Sequence, residues 1–416
     1  RDPLPVPMDE IDAVVLSHAH IDHSGRLPLL VKNGYTGPIY THRATAALCE
    51  IMLSDSAYIH EKDAEWENKR RHRKGLPSIE PLFNRDDAEA AVSQFIGVGY
   101  EERKEILPKL SIRFSDAGHI LGAAIVEIWI SEGGVNRKLV FSGDLGYRDA
   151  PIMEDPSLIS HADLVLMEST YGDRLHRSFA DTLTELGEVF EQASRYKGNV
   201  IIPAFAVGRT QDLLYLLAEH YETWKLDGWR VFLDSPMAIR ATDVYAQFRH
   251  LYGARLFRER SDMPQLGNFV ATKTSEESMA VNRIDSGAVI IAGSGMCTGG
   301  RVLHHLKHNL WRSQCHVVIV GYQANGTLGR LLVDGADYVR LWGQTIRVNA
   351  KIHTIGGLSA HADQAGLLDW YAGFENRPPV CLVHGEPEAQ HVLATRLRED
   401  HGADVSVPGL GETRQL

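Results

Sequence analysis

IDAVVLSHAHIDHSGRLP, residues 11–28, sets an apolar run directly against a dense polar cluster. Val14, Val15 and Leu16 have the character of a strand, and His18, His20, Asp22 and His23 follow within six residues. None of these four builds a core. Each is a good metal ligand when deprotonated, because imidazole and carboxylate offer lone pairs to a cation. His18 and His20, two apart just past a strand end, project the same way. Asp22 and His23 are adjacent and need a loop that turns back. Two neighbouring metals suit this spacing better than a polar loop capping a helix near Ser24.

Composition bounds the rest. The 416 residues are 44% hydrophobic, enough for a large core and two domains. No stretch approaches the roughly 18 apolar residues of a membrane span, and no signal peptide is visible. Cys49, Cys297, Cys315 and Cys381 are scattered and form no CxxC pair. That argues against a disulfide framework or cysteine zinc knuckles and fits a cytoplasmic setting. With a net charge of -11, the chain would have to meet any nucleic acid in a local groove, not with a broadly basic coat. The opening RDPLPVPMDE reads like the interior of a longer protein.

The coarse pattern has three parts. Up to residue 171, apolar strands lead into motif-like loops: LSIRFSDAG, AAIVEIWIS, RKLVFSGD and ADLVLMEST. AAIVEIWIS alternates, as a half-buried strand does. A long helix begins at RATAALCE and ends in the basic run Lys69 to Lys74, which reads as a solvated helix end. From 172 to 350, strands such as NVIIPAFA, WRVFLD, GAVIIAGSG and CHVVIVGYQ alternate with helices, one of them RATDVYAQFRHL. That rhythm predicts a parallel sheet covered on both faces. From 351 to 416 the elements are short again, around the loop GGLSAHAD and the strand PPVCLVHGE.

Further donors stand where strands end: His119 in AGHILG, Asp144 in FSGD and His384 in VHGE. Singly each is weak. Together they repeat one pattern, a polar ligand with glycine after an apolar strand.

SHAHIDHSG matches the HxHxDH signature of the metallo-β-lactamase superfamily. His119, Asp144, Glu168 in MESTYG, His361 in LSAHAD and His384 then follow the order of its β-CASP branch. PAFAVGRTQ, SGMCTGGR and NGTLGRLL resemble the RNA-processing members, bacterial and archaeal ribonucleases and the messenger RNA 3′-end processing endonuclease among them. The resemblance covers nearly the whole chain. It implies an α/β protein, a metallo-β-lactamase αββα sandwich (1–171 and 351–416) interrupted by a β-CASP domain (172–350). It also implies N-terminal strands that this sequence lacks. Diiron flavoproteins of the superfamily carry Glu where this chain has His20, so zinc is the expected metal.

The resemblance further implies two zinc ions. His18, His20 and His119 would hold one, Asp22, His23 and His384 the other, and Asp144 would bridge them. Two zincs about 3.5–4 Å apart can share a hydroxide, since metal binding lowers the pKa of water to ~7. His361, oriented by Glu168, would be the general acid that protonates the leaving oxygen. The expected reaction is hydrolysis of single-stranded RNA, internally or from the 5′ end, to 5′-phosphate and 3′-hydroxyl products. A two-domain cleft would exclude a duplex. Arg209, Lys273, Arg301 and Arg330, at or beside strand ends of the inserted part, are expected to face phosphates. A small-molecule hydrolase of the same core and a non-catalytic RNA-binding subunit are the alternatives. A homodimer is the default oligomer, and no membrane partner is expected.

Overall fold

The computed structural model describes residues 6–253, 266–414 and 416, so the opening RDPLP lies outside them. The chain divides into two compact units, Arg1–Leu175 with His361–Leu416, and His176–Ala360. Among the described residues, no helix is long and apolar enough to cross a membrane. The four cysteines are free and buried.

The first unit contains two sheets. The larger runs, in spatial order, Val405–Ser406, Val380–Leu382, Leu164–Met167, Val135–Phe141, Ala124–Glu132, Leu110–Asp116 and Lys104–Leu107. Its first three pairings are parallel and its last three antiparallel. The smaller sheet joins Val14–Val15, Ile39–His42 and Phe95–Val98, all parallel. Tyr40 and Val98 from the small sheet pack with Ile112, Phe114, Ala124 and Val126 from the large one. Burial of apolar area, worth roughly 25 cal/mol per Å², holds the layers together.

The alternation predicted for AAIVEIWIS fails in its first half, where Ala124 to Glu127 are all buried. Ala124 and Val126 face the core just described. On the other face Glu127 is covered by Arg113, 2.6 Å away, and by Lys138 from the neighbouring strands. A carboxylate buried between two cations keeps its charge, so a polar letter in the pattern need not mean an exposed residue.

The second unit is built on a six-stranded sheet, entirely parallel as the sequence rhythm predicts. Its order is Phe269–Ala271, Arg230–Leu233, Ala288–Ala292, Val200–Pro203, His316–Ile319 and Lys351–Thr354. The last strand belongs to this sheet, although the sequence pattern grouped it with the short elements after 350. A hairpin, Tyr338–Leu341 with Gln344–Arg347, stands apart from the sheet. The helix expected from Arg240 starts earlier and spans Pro236–Gln247. Ser235 caps it by accepting from Ala238 N, and Pro236 fills the first turn where its missing N–H costs nothing.

Candidate metal centre

The signature loop leaves the strand Val14–Val15 and runs into a single helical turn, Ile21–Ser24. Asp22 and His23 lie in that turn, so a helix and not a returning loop presents them. His20 precedes it, and its carbonyl accepts from His23 N and Ser24 N. Ser24 Oγ donates to the carbonyl of Ala19 at 2.8 Å, which closes the loop from inside.

His119 follows the strand Leu110–Asp116, and Asp144 follows Val135–Phe141. The two loops are clamped together. Gly146 N donates to Ala117 O at 2.7 Å. A Cβ at Gly146 would sit 1.9 Å from the carbonyl oxygen of Gly118, so no side chain fits there. Asp116 accepts from Gly118 N at 2.8 Å, and burial pushes its carboxyl up to about 7. His384 follows Val380–Leu382 with φ 50, a left-handed conformation uncommon outside glycine. Strain of this kind collects where geometry serves function.

These loops converge. The candidate ligand atoms of His18, His20, His119 and Asp144 lie within 4.8 Å of one another, as do those of Asp22, His23 and His384. His18 Nε2 and His23 Nε2 are each 3.3 Å from Asp144 Oδ2. His20 Nδ1 is 3.0 Å from His119 Nε2, and His23 Nε2 is 3.3 Å from His384 Nε2. Asp22 Oδ2 is 3.4 Å from His384 Nε2. Donors held 2.0–2.1 Å from a tetrahedral zinc lie about 3.3 Å from one another. The spacing therefore fits donors around a cation.

The electrostatics agree. His18 Nε2 and Asp144 Oδ1 are buried without a hydrogen-bond partner. Buried polar atoms normally have one, so the chemistry of these two suits a cation. Burial drives His20 down to about 3 and His119 well below its ordinary value, so both are neutral, as a metal ligand must be. Burial acts to raise Asp144, yet the His18 and His23 rings, each with Nε2 3.3 Å from Oδ2, outweigh it and hold the carboxyl far below its usual range. Hydrogen bonding to Asp22 lifts His384 to about 9, so a metal there would displace a proton.

A second pair adjoins this cluster. His361 Nδ1 lies 3.1 and 3.2 Å from the two oxygens of Glu168. Its Nε2 is 3.9 Å from Asp144 Oδ2. Glu168 is fully buried and also accepts from the backbone N–H of Leu145 and of Thr170. Burial alone would lower His361, but the Glu168 charge and hydrogen bond prevail and raise it.

Some supporting residues gave little sign in the sequence. Thr170 Oγ1 lies 3.1 Å from His384 Nδ1, and Ser17 Oγ 3.2 Å from His18 Nδ1. Such partners fix ring orientation. Their only signal is adjacency to Glu168 and His18.

The four cations expected at phosphates are found in the second unit. Arg209 is buried and pairs with Asp212 at 3.0 Å. Arg301 donates to Asp234 at 2.6 Å and to the carbonyls of Thr272 and Lys273. Arg330 pairs with Asp334 at 2.9 Å, and Lys273 is exposed. Arg209 and Arg301 are thus engaged inside their own unit, whereas Arg330 and Lys273 face solvent.

Comparison with known proteins places this geometry. Residues 6–102 match the metallo-beta-lactamase superfamily, 210–332 the Beta-Casp domain, and 345–408 the Zn-dependent metallo-hydrolase RNA specificity domain. A ribonuclease of Thermus thermophilus is 40% identical over 97% of this chain and 88% of its own length. The chain belongs to the β-CASP family of the metallo-β-lactamase superfamily. This is a family of metal-dependent hydrolases of ribonuclease type. Transcription termination factors FttA of Pyrococcus abyssi and Methanocaldococcus jannaschii are 30% and 31% identical over 98% and 91% of this chain. The chain spans 62% and 59% of their lengths.

Proposed function

We propose that this β-CASP protein is a zinc-dependent ribonuclease that hydrolyses single-stranded RNA to 5′-phosphate and 3′-hydroxyl ends. The observation that carries the reading is the joined cluster around Asp144, with its orphaned buried atoms and its donor spacing. His18, His20 and His119 would hold one zinc, Asp22, His23 and His384 a second, with Asp144 shared between them. Bound there, two zinc ions would acidify a water to a pKa of about 7 and offset the charge that builds on a phosphodiester. RNA as substrate is supported by the RNA specificity match and by the ribonuclease relative. The unit His176–Ala360 is assigned as the β-CASP insertion, since the matched segment lies wholly inside it.

The chain's own groups supply the proton. Glu168, fixed by two backbone amides, takes the Nδ1–H of His361 and favours the imidazolium. The other ring nitrogen, on the Asp144 side, would protonate the departing 3′ oxygen, a poor leaving group without a proton.

The test is a time course on 5′-labelled single-stranded RNA with zinc, with and without chelator. Fragments that vanish on chelation support the reading, and their lengths report whether cuts are internal or start at the 5′ end. RNA left intact by a zinc-loaded protein would refute it.

A further inference from the structure

Charge is unevenly spread along the chain. Residues 286–360 hold seven lysines and arginines against two aspartates, in a protein whose net charge is -11. Four of those seven are engaged. Arg301 is held by Asp234, Arg330 by Asp334 and Arg312 by the backbone of Asp285, while Lys351 lies over the Tyr196 ring. Lys307, Arg340 and Arg347 have no carboxylate partner among the described residues.

These three sit with exposed aromatics. In the hairpin, Tyr338 pairs directly with Arg347, and Arg340 lies two residues along on the same face. That face is exposed, whereas Val339, Leu341 and Ile346 on the other are packed into the core of the second unit. The turn is Trp342–Gly343, with φ 46 and 81. Two positive φ values call for Asn-Gly or Gly-Gly, so an indole there is an unfavourable choice for the backbone. The indole is 54% exposed. The His304 ring lies 4.5 Å from it, tilted by 32°, and Lys307 Nζ stands 5.7 Å from its ring. His304, Lys307, His308 and Trp311 share one stripe of the helix that runs from Val302 to Asn309 and its first following turn, and the stripe carries no acid.

We infer that the outer face of this hairpin, with the His304–Lys307 stripe, is a second contact for single-stranded RNA. Arg340, Arg347 and Lys307 take phosphates there, and Trp342 and Tyr338 stack on bases. Unpaired cations interleaved with exposed rings are the recognition chemistry of a single strand: charge follows the backbone, and every base has a face to stack. An apolar protein partner fits less well, since three unneutralised cations would have to be desolvated. The inference rests on the reading of the protein as an RNA enzyme, but none of its residues belongs to the metal cluster.

The test is fluorescence anisotropy with a labelled 2′-O-methyl uridine 30-mer, its integrity checked on a gel, at several salt concentrations. The zinc-loaded protein is compared with Arg340→Gln/Arg347→Gln, Trp342→Ala and Arg340→Lys/Arg347→Lys. The glutamine pair is expected to bind about ten-fold more weakly, with a log–log salt slope smaller by about 1.4, two phosphates' worth. Trp342→Ala should lose about ten-fold through stacking, with the slope unchanged. The lysine pair keeps the charge and should stay within about two-fold. Unchanged affinity and slope in the glutamine pair would overturn the inference. So would a lysine pair as weak as the glutamine pair, since the loss would then not be charge. Variants that change the sedimentation mass while RNA affinity holds would instead make this face a contact between copies. Wild-type protein that binds the 30-mer but never cuts RNA would refute the proposed function and leave this surface standing.

Discussion

Asp144 in the first unit and Asp234 in the second are 2% and 0% exposed. Both are held ionised well below the usual carboxylate range, because neighbours outweigh the cost of burial. Their surroundings differ in kind. Asp234 is saturated: Thr272, Ser278, Arg301 and His305 all donate to it, at 2.5 to 2.6 Å. Asp144 has imidazoles on several sides, yet one of its oxygens has no hydrogen-bond partner. A saturated buried charge ties elements together. An unsaturated one, ringed by imidazoles, is a place for a cation.

The contrast can be broken from either end, and the sharpest break is at Asp144. Asp144→Asn should lower RNA cleavage by more than about 10³-fold, by analogy with loss of a central charge stabiliser. The same variant, metal-free, should lose less stability to urea than Asp234→Asn does, since one Asp144 oxygen has no hydrogen-bond partner to lose. A marked fall in metal-free stability would class Asp144 with Asp234.

His361→Ala separates binding from chemistry. It should keep its zinc, read by elemental analysis, and lose about 10²–10⁴-fold in turnover. Near-full turnover in the zinc-loaded variant would remove His361 as the acid.

Asp234→Asn should behave oppositely to Asp144→Asn. It leaves the Arg301 guanidinium without its buried counter-charge, a defect worth about 3–5 kcal/mol. Denaturation should show the loss while the zinc content is retained. Loss of zinc without loss of stability would contradict the contrast.

A subtler change is Gly146→Ala, whose methyl meets the Gly118 carbonyl. It should weaken zinc affinity about 10–100-fold by shifting the His119 and Asp144 loops, as changes around metal ligands do. Competition with a chromophoric chelator reads this directly.

The smallest effect concerns the second unit. Burial lowers His316 to about 4, and its Nδ1 is 2.9 Å from His353 Nε2. A histidine harder to protonate when folded contributes stability that is complete above pH 6.5 and is lost as pH falls towards 4. His316→Gln should flatten that part of the stability–pH curve by roughly 1–2 kcal/mol. An unaltered slope between pH 6.5 and 4 would contradict it.

Much of the centre was legible because its ligands are chemically conspicuous. His18, His20, Asp22 and His23 cannot be read as core, and His119, Asp144 and His384 each end a strand. The strand–helix rhythm likewise announced the parallel sheet of the second unit. What was not legible depends on pairing across long sequence distances. Nothing local to Lys351–Thr354 says that it extends the sheet beside His316–Ile319. Nothing local to Arg301 says that its guanidinium is anchored on Asp234, 67 residues earlier. The Tyr338–Arg347 hairpin was hidden because its turn uses Trp-Gly where a hairpin usually announces itself with Asn-Gly.

The most direct test is the zinc stoichiometry of the purified protein, reconstituted with excess zinc, dialysed and measured by elemental mass spectrometry. Two zinc ions per chain is the expected result. None, or zinc bound without any loss in Asp144→Asn, would contradict the assignment of the Asp144 cluster as the metal centre.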